Sequence, residues 1–484
     1  MWLAELSIAI GMSPLPGWNR VEIRDVCEDS RRVRPGALFV AVSGATNDGV
    51  AFIDEAIANG AAAVVSERVQ RIPVPLLTVP DVRPALAQLA SAFHGRPTED
   101  LFTVGVTGTN GKTTVCHWIA HLLRDDRAVV IGTLANERRG LAAVTTPSST
   151  VIQRIAAESR AGGAESLIVE ASSIGLAQHR IDAVDFDVGV FTNLTRDHLD
   201  WHHSMKAYLA AKRILFAGLK QAAYAVINAE DPACEAILEG CDAETFRYGL
   251  TAGADLRGED LRLESRRTRC SLVWGVDRVS THIPHPGRHN LLNALAAASV
   301  ALIHGVPLRV VADRLACVPA LEGRCQFFER SDGVIGVIDF AHTPDALQRV
   351  LDVVRPPVGR LHVVFGCPGQ SDQGKRPIMG RIAGQLADRA ILTADNPKHE
   401  DPEAILDGIE EGLRGQKARW ERVVDRTEAI GHAVDQAKPG DVVLIAGKGH
   451  EPYQIIKDAF VPYSDRAVLE RLGFAEAGSP RDGE

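Results

Sequence analysis

The stretch Phe102-Thr103-Val104-Gly105-Val106-Thr107-Gly108-Thr109-Asn110-Gly111-Lys112-Thr113-Thr114-Val115 decides the fold. Residues 102–106 read as a buried strand, and residues 113–123 as the helix that follows. Between them lies a Gly-rich turn ending in Gly-Lys-Thr-Thr. Strand, turn and helix in that order form a phosphate-binding loop. Successive backbone N–H groups and the helix N-terminus present positive potential to an anion. Gly108, Thr109, Asn110, Gly111, Lys112, Thr113 and Thr114 are therefore the expected phosphate-binding residues. Lys112 can reach the β- and γ-phosphates, and the Thr113 hydroxyl can hold Mg²⁺. Val106 stands where the strict pattern has its first Gly.

Working outward, the strand–helix rhythm divides the chain of 484 residues into three blocks. The first, 1–98, has a buried-strand pattern at 37–42, a helical stretch at 52–59, a strand at 61–65 and a linker at 94–98. The second, 99–322, adds strands at 166–170 and 188–192, which implies a mainly parallel sheet covered on both faces. The third, 323–484, has strands at 334–339, 362–365, 389–392 and 442–446 and reads as a doubly wound, Rossmann-like domain. The expected class is α/β, in three domains.

Composition narrows the function. With 45% apolar and 24% charged residues, the chain reads as an ordinary globular protein. A net charge of -9 argues against a nucleic-acid surface, though a local Lys/Arg cluster can still hold an anionic substrate. No apolar run approaches a membrane-spanning length, and the start of the chain lacks a basic secretion signal. The eight cysteines are scattered without a C-x-x-C pair and read as reduced thiols. The expectation is a cytoplasmic protein, monomeric, with small-molecule partners and neither nucleic acid nor membrane among them.

Thr107-Gly108-Thr109-Asn110-Gly111-Lys112-Thr113-Thr114 resembles the phosphate loop of the Mur ligase and folylpolyglutamate synthetase superfamily. Further motifs follow in order: Asp29-Ser30-Arg31, Pro35-Gly36-Ala37-Leu38-Phe39-Val40-Ala41, Thr145-Thr146-Pro147, Glu170-Ala171-Ser172-Ser173 and Gln178-His179-Arg180. After these come Asn193-Leu194-Thr195-Arg196-Asp197-His198-Leu199-Asp200, Ala211-Lys212, His289-Asn290-Leu291-Leu292-Asn293 and Asp339-Phe340-Ala341-His342-Thr343-Pro344. Gly374-Lys375-Arg376-Pro377 and Gly447-Lys448-Gly449-His450-Glu451 complete the set. The ordered set, spanning nearly the whole chain, is similar to the Mur ligases that add the third residue of the peptidoglycan peptide.

That resemblance implies an N-terminal nucleotide-sugar-binding domain, a central phosphate-loop ATPase domain and a C-terminal amino-acid-binding domain. It implies carboxylate activation: ATP phosphorylates a substrate carboxylate, and an amine attacks the acyl phosphate. Such transition states gather negative charge and need cations and oriented donors. Lys112, Glu170, His198 and Lys212 are the implied catalytic residues, with Thr113, Glu170, His198 and Lys212 around Mg²⁺. Read on its own, Glu170 ends an apolar strand and points at the ligand crevice. Read alone, His198 is a satisfied structural histidine and Lys212 a solvated helix-surface lysine. The resemblance makes Lys212 an N-carboxylated lysine, formed with CO2, which requires a neutral amine.

Asn293, Arg324 and Asp339 match the family's adenine, phosphate and ribose contacts. Ser30, Thr145, Thr146, Ser172, Gln178 and Arg180 match contacts to the nucleotide-linked substrate. Arg376, Asp395, Asn396, Pro397, Lys398, Gly447 and Glu451 match the amino-acid pocket, where meso-diaminopimelate is the implied acceptor. Here the family's Asp-Asn-Pro-Arg reads Asp395-Asn396-Pro397-Lys398, which keeps the charge but loses the bidentate fork. Gly366-Cys367-Pro368-Gly369-Gln370-Ser371-Asp372 and Pro452 also depart from the family pattern. The alternatives are a paralogue adding another amino acid, a folylpolyglutamate synthetase-like ligase, a phosphate-loop kinase or switch, and a non-catalytic ATP-binding scaffold. Asp29-Ser30-Arg31 speaks against the second, and Lys112, Glu170, His198 and Lys212 together speak against the last.

Overall fold

The computed structural model describes residues 1–44, 48–124, 126–141 and 144–477. Its first sheet has four parallel strands in the order Asp25–Cys27, Ala37–Val40, Ala63–Ser66 and Leu76–Thr78. The helices Leu3–Ala9 and Val82–Phe93 cover one face, with Leu3, Leu6, Leu86 and Leu89 in a shared core.

The second sheet has nine strands, with the loop-bearing strand Phe102–Thr107 between Val188–Phe191 and Ser166–Glu170. Parallel partners lie on both sides of it. Ser166–Glu170 is buried at every residue, as a parallel strand covered on two faces must be. The helices Lys112–Leu123 and Arg288–Ile303 pack on one face around Trp118 and Leu295. The other face carries Ser149–Ala161 and Met205–Ala217. The far edge is an antiparallel extension, Leu256–Leu263, Thr268–Trp274 and Asp277–Ile283. The sequence reading missed it because Arg, Glu and Asp interrupt its alternation.

The third sheet has seven strands in the order Arg419–Arg422, Arg389–Leu392, Leu361–Phe365, Val442–Ala446, Ile335–Asp339, Gln326–Arg330 and Phe474–Glu476. The first five are parallel, and Gln326–Arg330 runs antiparallel to both its neighbours, Ile335–Asp339 and Phe474–Glu476. Val442–Ala446 is inserted between two strands that precede it in sequence, so the winding reverses there. That reversal opens a crevice at the carboxyl ends of the strands. A two-stranded hairpin, Tyr453–Ile456 and Ala459–Pro462, stands beside the crevice.

Candidate active site

A cavity of about 320 Å³ lies between the second and third sheets. Thr109, Asn110, Gly111, Lys112, Thr113 and Thr114 line one wall; Arg324, Asp339 and Phe340 line another. The loop turns at Gly111, with φ of 88°, where a Cβ would come within 2.5 Å of Asn293 Oδ1. Only glycine tolerates both the left-handed backbone and that approach. The Lys112 ammonium folds back and donates to the carbonyls of Gly108 and Thr109, both at 2.9 Å. Asn110 ties the loop to the third-sheet layer. Its Nδ2 donates to Asp345 at 2.8 Å, and its Oδ1 accepts from the Thr343 hydroxyl at 3.2 Å.

Glu170 is 1% exposed. Its carboxylate accepts from the Thr113 hydroxyl at 3.0 Å and from the Thr133 N–H at 2.9 Å. Burial pushes its pKa up, opposed by the charges of Lys112 and Arg324. Arg324 reaches across from the segment entering the third sheet, donates to Thr113 Oγ1 at 3.2 Å and lies over the Phe340 ring. Asp339 accepts two backbone N–H groups, from Cys325 at 2.7 Å and Ala341 at 2.8 Å.

Lys212 is 1% exposed, so reading it alone as a solvated lysine fails. Its ammonium donates to the Gly108 carbonyl at 2.8 Å and sits 4.2 Å from the centre of the Tyr208 ring. Burial, with the nearby Lys112 charge, lowers its pKa well below that of a free lysine. Partial burial likewise holds the His198 imidazole down to about 4, against the pull of Asp197. Asp197 is the hub beside it, 3.4 Å from His198 Nε2, 3.4 Å from Lys375 Nζ and 3.7 Å from His342 Nε2. Burial alone would raise its pKa; Lys375 and the two histidines outweigh that and hold it well below the carboxylate range. Next to it, Arg196 grips Asp372 through two bonds, at 2.8 and 2.9 Å. Asp372 and Lys375 belong to the third-sheet layer, so this charge cluster spans the interface.

A polar strip leads away from Glu170. The Thr146 hydroxyl donates to the Glu170 carbonyl at 2.6 Å and contacts Ser172 Oγ at 2.9 Å. Arg180 donates to the Thr146 carbonyl and to Gln178 Oε1, both at 2.6 Å. Ser30 stands apart in the first-sheet layer, its hydroxyl donating to Glu55 at 2.6 Å.

A second cluster lies at the carboxyl ends of Arg389–Leu392 and Val442–Ala446. Arg376 holds Glu400 through two bonds, at 2.6 and 2.8 Å. Asn396 donates to Glu451 at 2.9 Å. Asp395 is buried with Oδ2 unpaired among the described residues, and a Cβ on Gly447 would lie 2.5 Å from that oxygen. Lys398 has φ of 54°, and its backbone is stitched to the hairpin through Ile455 and Lys457. Its ammonium takes no partner among the described residues. Phe340, which lies under the Arg324 guanidinium, also packs against Gly449, two residues before Glu451, so this cluster adjoins the wall that faces the phosphate loop.

Family models match three segments: the Mur ligase family catalytic domain over residues 22–94, the Mur ligase middle domain over 106–301 and the Mur ligase glutamate ligase domain over 323–449. The UDP-N-acetylmuramoyl-L-alanyl-D-glutamate--2,6-diaminopimelate ligase of Geobacillus kaustophilus is 41% identical over 484 residues, covering 96% of this chain and 99% of that one. The protein of the same name from Halalkalibacterium halodurans is 40% identical, covering 93% and 94%. A solved structure of a UDP-N-acetylmuramoyl-L-alanyl-D-glutamate--2,6-diaminopimelate ligase is 33% identical, with a TM-score of 0.69 over 97% of this chain and 98% of that one. This chain belongs to the Mur ligase family.

The family motifs thus converge in space in two places. Twelve expected residues line the cavity between the second and third sheets: the loop residues 109–114, Thr145, Glu170, His198, Asn293, Arg324 and Asp339. Gly108 and Lys212 meet just behind it, and Thr146, Ser172, Gln178 and Arg180 form the strip beside it. Arg376, Asp395, Asn396, Pro397, Lys398, Gly447 and Glu451 form the second cluster. Reading the sequence missed Thr133, Asp197, Lys375 and Lys448. Asp197 and Lys375 stood inside quoted motifs, yet nothing in their spacing pairs residues 178 apart in the chain.

Proposed function

We propose that this chain is an ATP-dependent, ADP-forming ligase joining meso-diaminopimelate to the D-glutamyl carboxylate of UDP-N-acetylmuramoyl-L-alanyl-D-glutamate, in peptidoglycan precursor synthesis. The observation that carries the reading is the placement of a phosphate loop, a buried acid and an amino-acid-sized polar cluster around one interdomain crevice. The loop N–H groups and Lys112 hold the triphosphate, and Arg324 faces the charge that builds on the γ-phosphate. Asn293 and Asp339 hold the nucleoside from either side. The strip Thr145, Thr146, Ser172, Gln178 and Arg180 holds the nucleotide-linked substrate, with Ser30 at its far end. The D-glutamyl carboxylate attacks the γ-phosphorus and ADP leaves. The acceptor amine then displaces phosphate from the acyl phosphate, giving the amide.

Among the described residues no group of three or more His, Cys, Asp or Glu could hold a metal. Thr113 and Glu170 nonetheless fit Mg²⁺, which takes hard oxygens and draws further ligands from phosphates and water. A bound Mg²⁺ would supply positive charge against that building on the transferred phosphoryl group. Its fit rests on the donor set: a buried carboxylate, Glu170, 3.0 Å from the Thr113 hydroxyl at the start of the helix that follows the phosphate loop. The carbamate reading of Lys212 rests on its burial, which favours the neutral amine that CO2 requires. Arg376, Asp395, Asn396, Pro397, Lys398, Gly447 and Glu451 hold the acceptor, with the Lys398 ammonium facing a distal carboxylate. No helix among the described residues is long and apolar enough to cross a membrane, and we place the ligase in the cytoplasm as a monomer.

The test is phosphate release by the purified chain with ATP, Mg²⁺ and the nucleotide dipeptide, with meso-diaminopimelate, L-lysine and L-ornithine supplied separately. Release with diaminopimelate alone is expected, and Lys398→Arg is expected to keep or improve it. Release with lysine or ornithine instead would move the acceptor to another amino acid. The departures at Lys398, Gln370, Ser371 and Pro452 make that second reading specific to this pocket.

A further inference from the structure

Lys448 is 0% exposed and has no role in the reading above. It follows the buried strand Val442–Ala446 and sits between Gly447, φ of 112°, and Gly449, φ of 56°. Two left-handed residues flanking one lysine reverse the backbone and turn that lysine inward. The turn is tightly packed: a Cβ on Gly449 would meet Gly323 O at 2.9 Å and the Phe340 side chain at the same distance. Inside, the Lys448 ammonium donates to Glu451 Oε2 at 2.8 Å and Asn396 Oδ1 at 2.9 Å. The Tyr453 ring lies 5.8 Å away and closes the third side.

These bonds fix two orientations. Asn396 Oδ1 also accepts from the Ile455 N–H at 3.0 Å. With two donors at that atom, the other end of the amide must be the NH₂, and it points at Glu451 Oε2. Both contacts to Glu451 therefore fall on Oε2, while Oε1 takes no hydrogen bond among the described residues. A flexible carboxylate is thereby held with one oxygen anchored and the other offered to a donor. We propose that Lys448 is the positioning residue of the acceptor pocket, clamping Asn396 and Glu451 so that Glu451 Oε1 meets the distal ammonium of the incoming amino acid. The inference rests on the reading of Asn396 and Glu451 as acceptor ligands and extends it to a residue that does not itself touch the acceptor.

The experiment is steady-state kinetics of the full-length chain with ATP, the nucleotide dipeptide and meso-diaminopimelate each varied in turn. The variants are Lys448→Met, Lys448→Arg, Glu451→Gln and the double variant Lys448→Met/Glu451→Gln. Lys448→Met is expected to raise the acceptor KM by about tenfold, the equivalent of one lost charge-assisted bond, with the KM for ATP within about twofold of wild type. Lys448→Arg keeps the charge and is expected to fold and to raise the acceptor KM less. The double variant is expected to resemble Glu451→Gln, because Lys448 acts through that residue. If Glu451→Gln raises the acceptor KM and neither Lys448 variant does, the clamp is wrong and the acceptor reading stands. If none of the variants moves the acceptor KM selectively, the acceptor reading fails and the clamp with it. If all three KM values rise together, Lys448 is merely structural. Should Lys448→Met not fold by circular dichroism, the Arg variant decides between these outcomes.

Discussion

Substituting Asp197→Asn tests whether the interface between the second and third sheets is held by charge. Asp197 and Lys375 are both buried, with Oδ1 and Nζ 3.4 Å apart. Two unit charges at that distance attract by about 5 kcal/mol at an effective dielectric of ~20. Asparagine keeps the shape and removes the charge, leaving the Lys375 ammonium buried and uncompensated. Removing one partner of a buried pair costs roughly 3–5 kcal/mol, because the orphan charge bears its desolvation alone. That corresponds to a fall of roughly 6–20 °C in the midpoint of the affected domain. Removing both charges is different. Asp197→Asn/Lys375→Met leaves no orphan cation and is expected to recover at least half of the loss. Differential scanning calorimetry of the four forms closes the cycle. Asp197→Asn costing less than about 1 kcal/mol, or additive losses in the double variant, would refute the reasoning and reduce the contact to a chance approach across the interface.

Lys112→Ala is expected to abolish phosphate release while leaving the fold intact; near-normal turnover would remove Lys112 from the phosphate site. Lys212→Ala is expected to be nearly inactive and partly rescued by a short carboxylic acid, read out as phosphate release with and without the acid. Full activity without rescue would exclude a carboxylated lysine. His450 is buried against Phe340 and held down to about 3, chiefly by loss of water and then by Arg324 and Lys448. Below the ordinary histidine pKa of about 6.5 the unfolded chain takes up a proton that folded His450 refuses. Its stability term is thus complete above about pH 6.5 and is lost as pH falls towards 3. At pH 5 the loss is about 2 kcal/mol. His450→Gln should flatten that part of the stability–pH profile, and an unchanged profile would show that His450 is protonated in the fold.

Much of the architecture was legible because it rests on local signals. The apolar runs at 166–170 and 442–446 are central parallel strands, and Gly-Lys-Thr-Thr opens the helix Lys112–Leu123. The charged strands at 256–283 were not legible. They form an antiparallel edge whose polar residues pair across strands, as Arg278 does with Glu259, and such pairing leaves no apolar rhythm. The site was legible as a set of motifs. Which residue of one motif meets which residue of another was not, because those pairings depend on how the layers dock.

Lys212 shows where a physical signal was present and could have been used. In the helix Met205–Ala217 the buried residues are Tyr208, Ala211, Lys212, Leu215 and Phe216. Their spacing is that of a core-facing helical stripe, so Lys212 occupies an apolar position, while Lys206 faces solvent. A lysine on such a stripe must either reach out to water or have its charge met inside. Here it does not reach out: its Nζ finds one carbonyl and an aromatic face, and the repulsion of Lys112 acts on it against the pull of Asp197. No ion pair among the described residues accounts for that arrangement. Lys448 and Lys375 are also buried lysines, yet each has a carboxylate beside it. The contrast separates two uses of a buried lysine. Paired ones fix geometry, whereas the one beside the phosphate loop, with no carboxylate bonded to it among the described residues, is held by burial well below the pKa of a free lysine, which favours its neutral amine. That difference makes Lys212, rather than the others, the residue on which covalent modification should be sought.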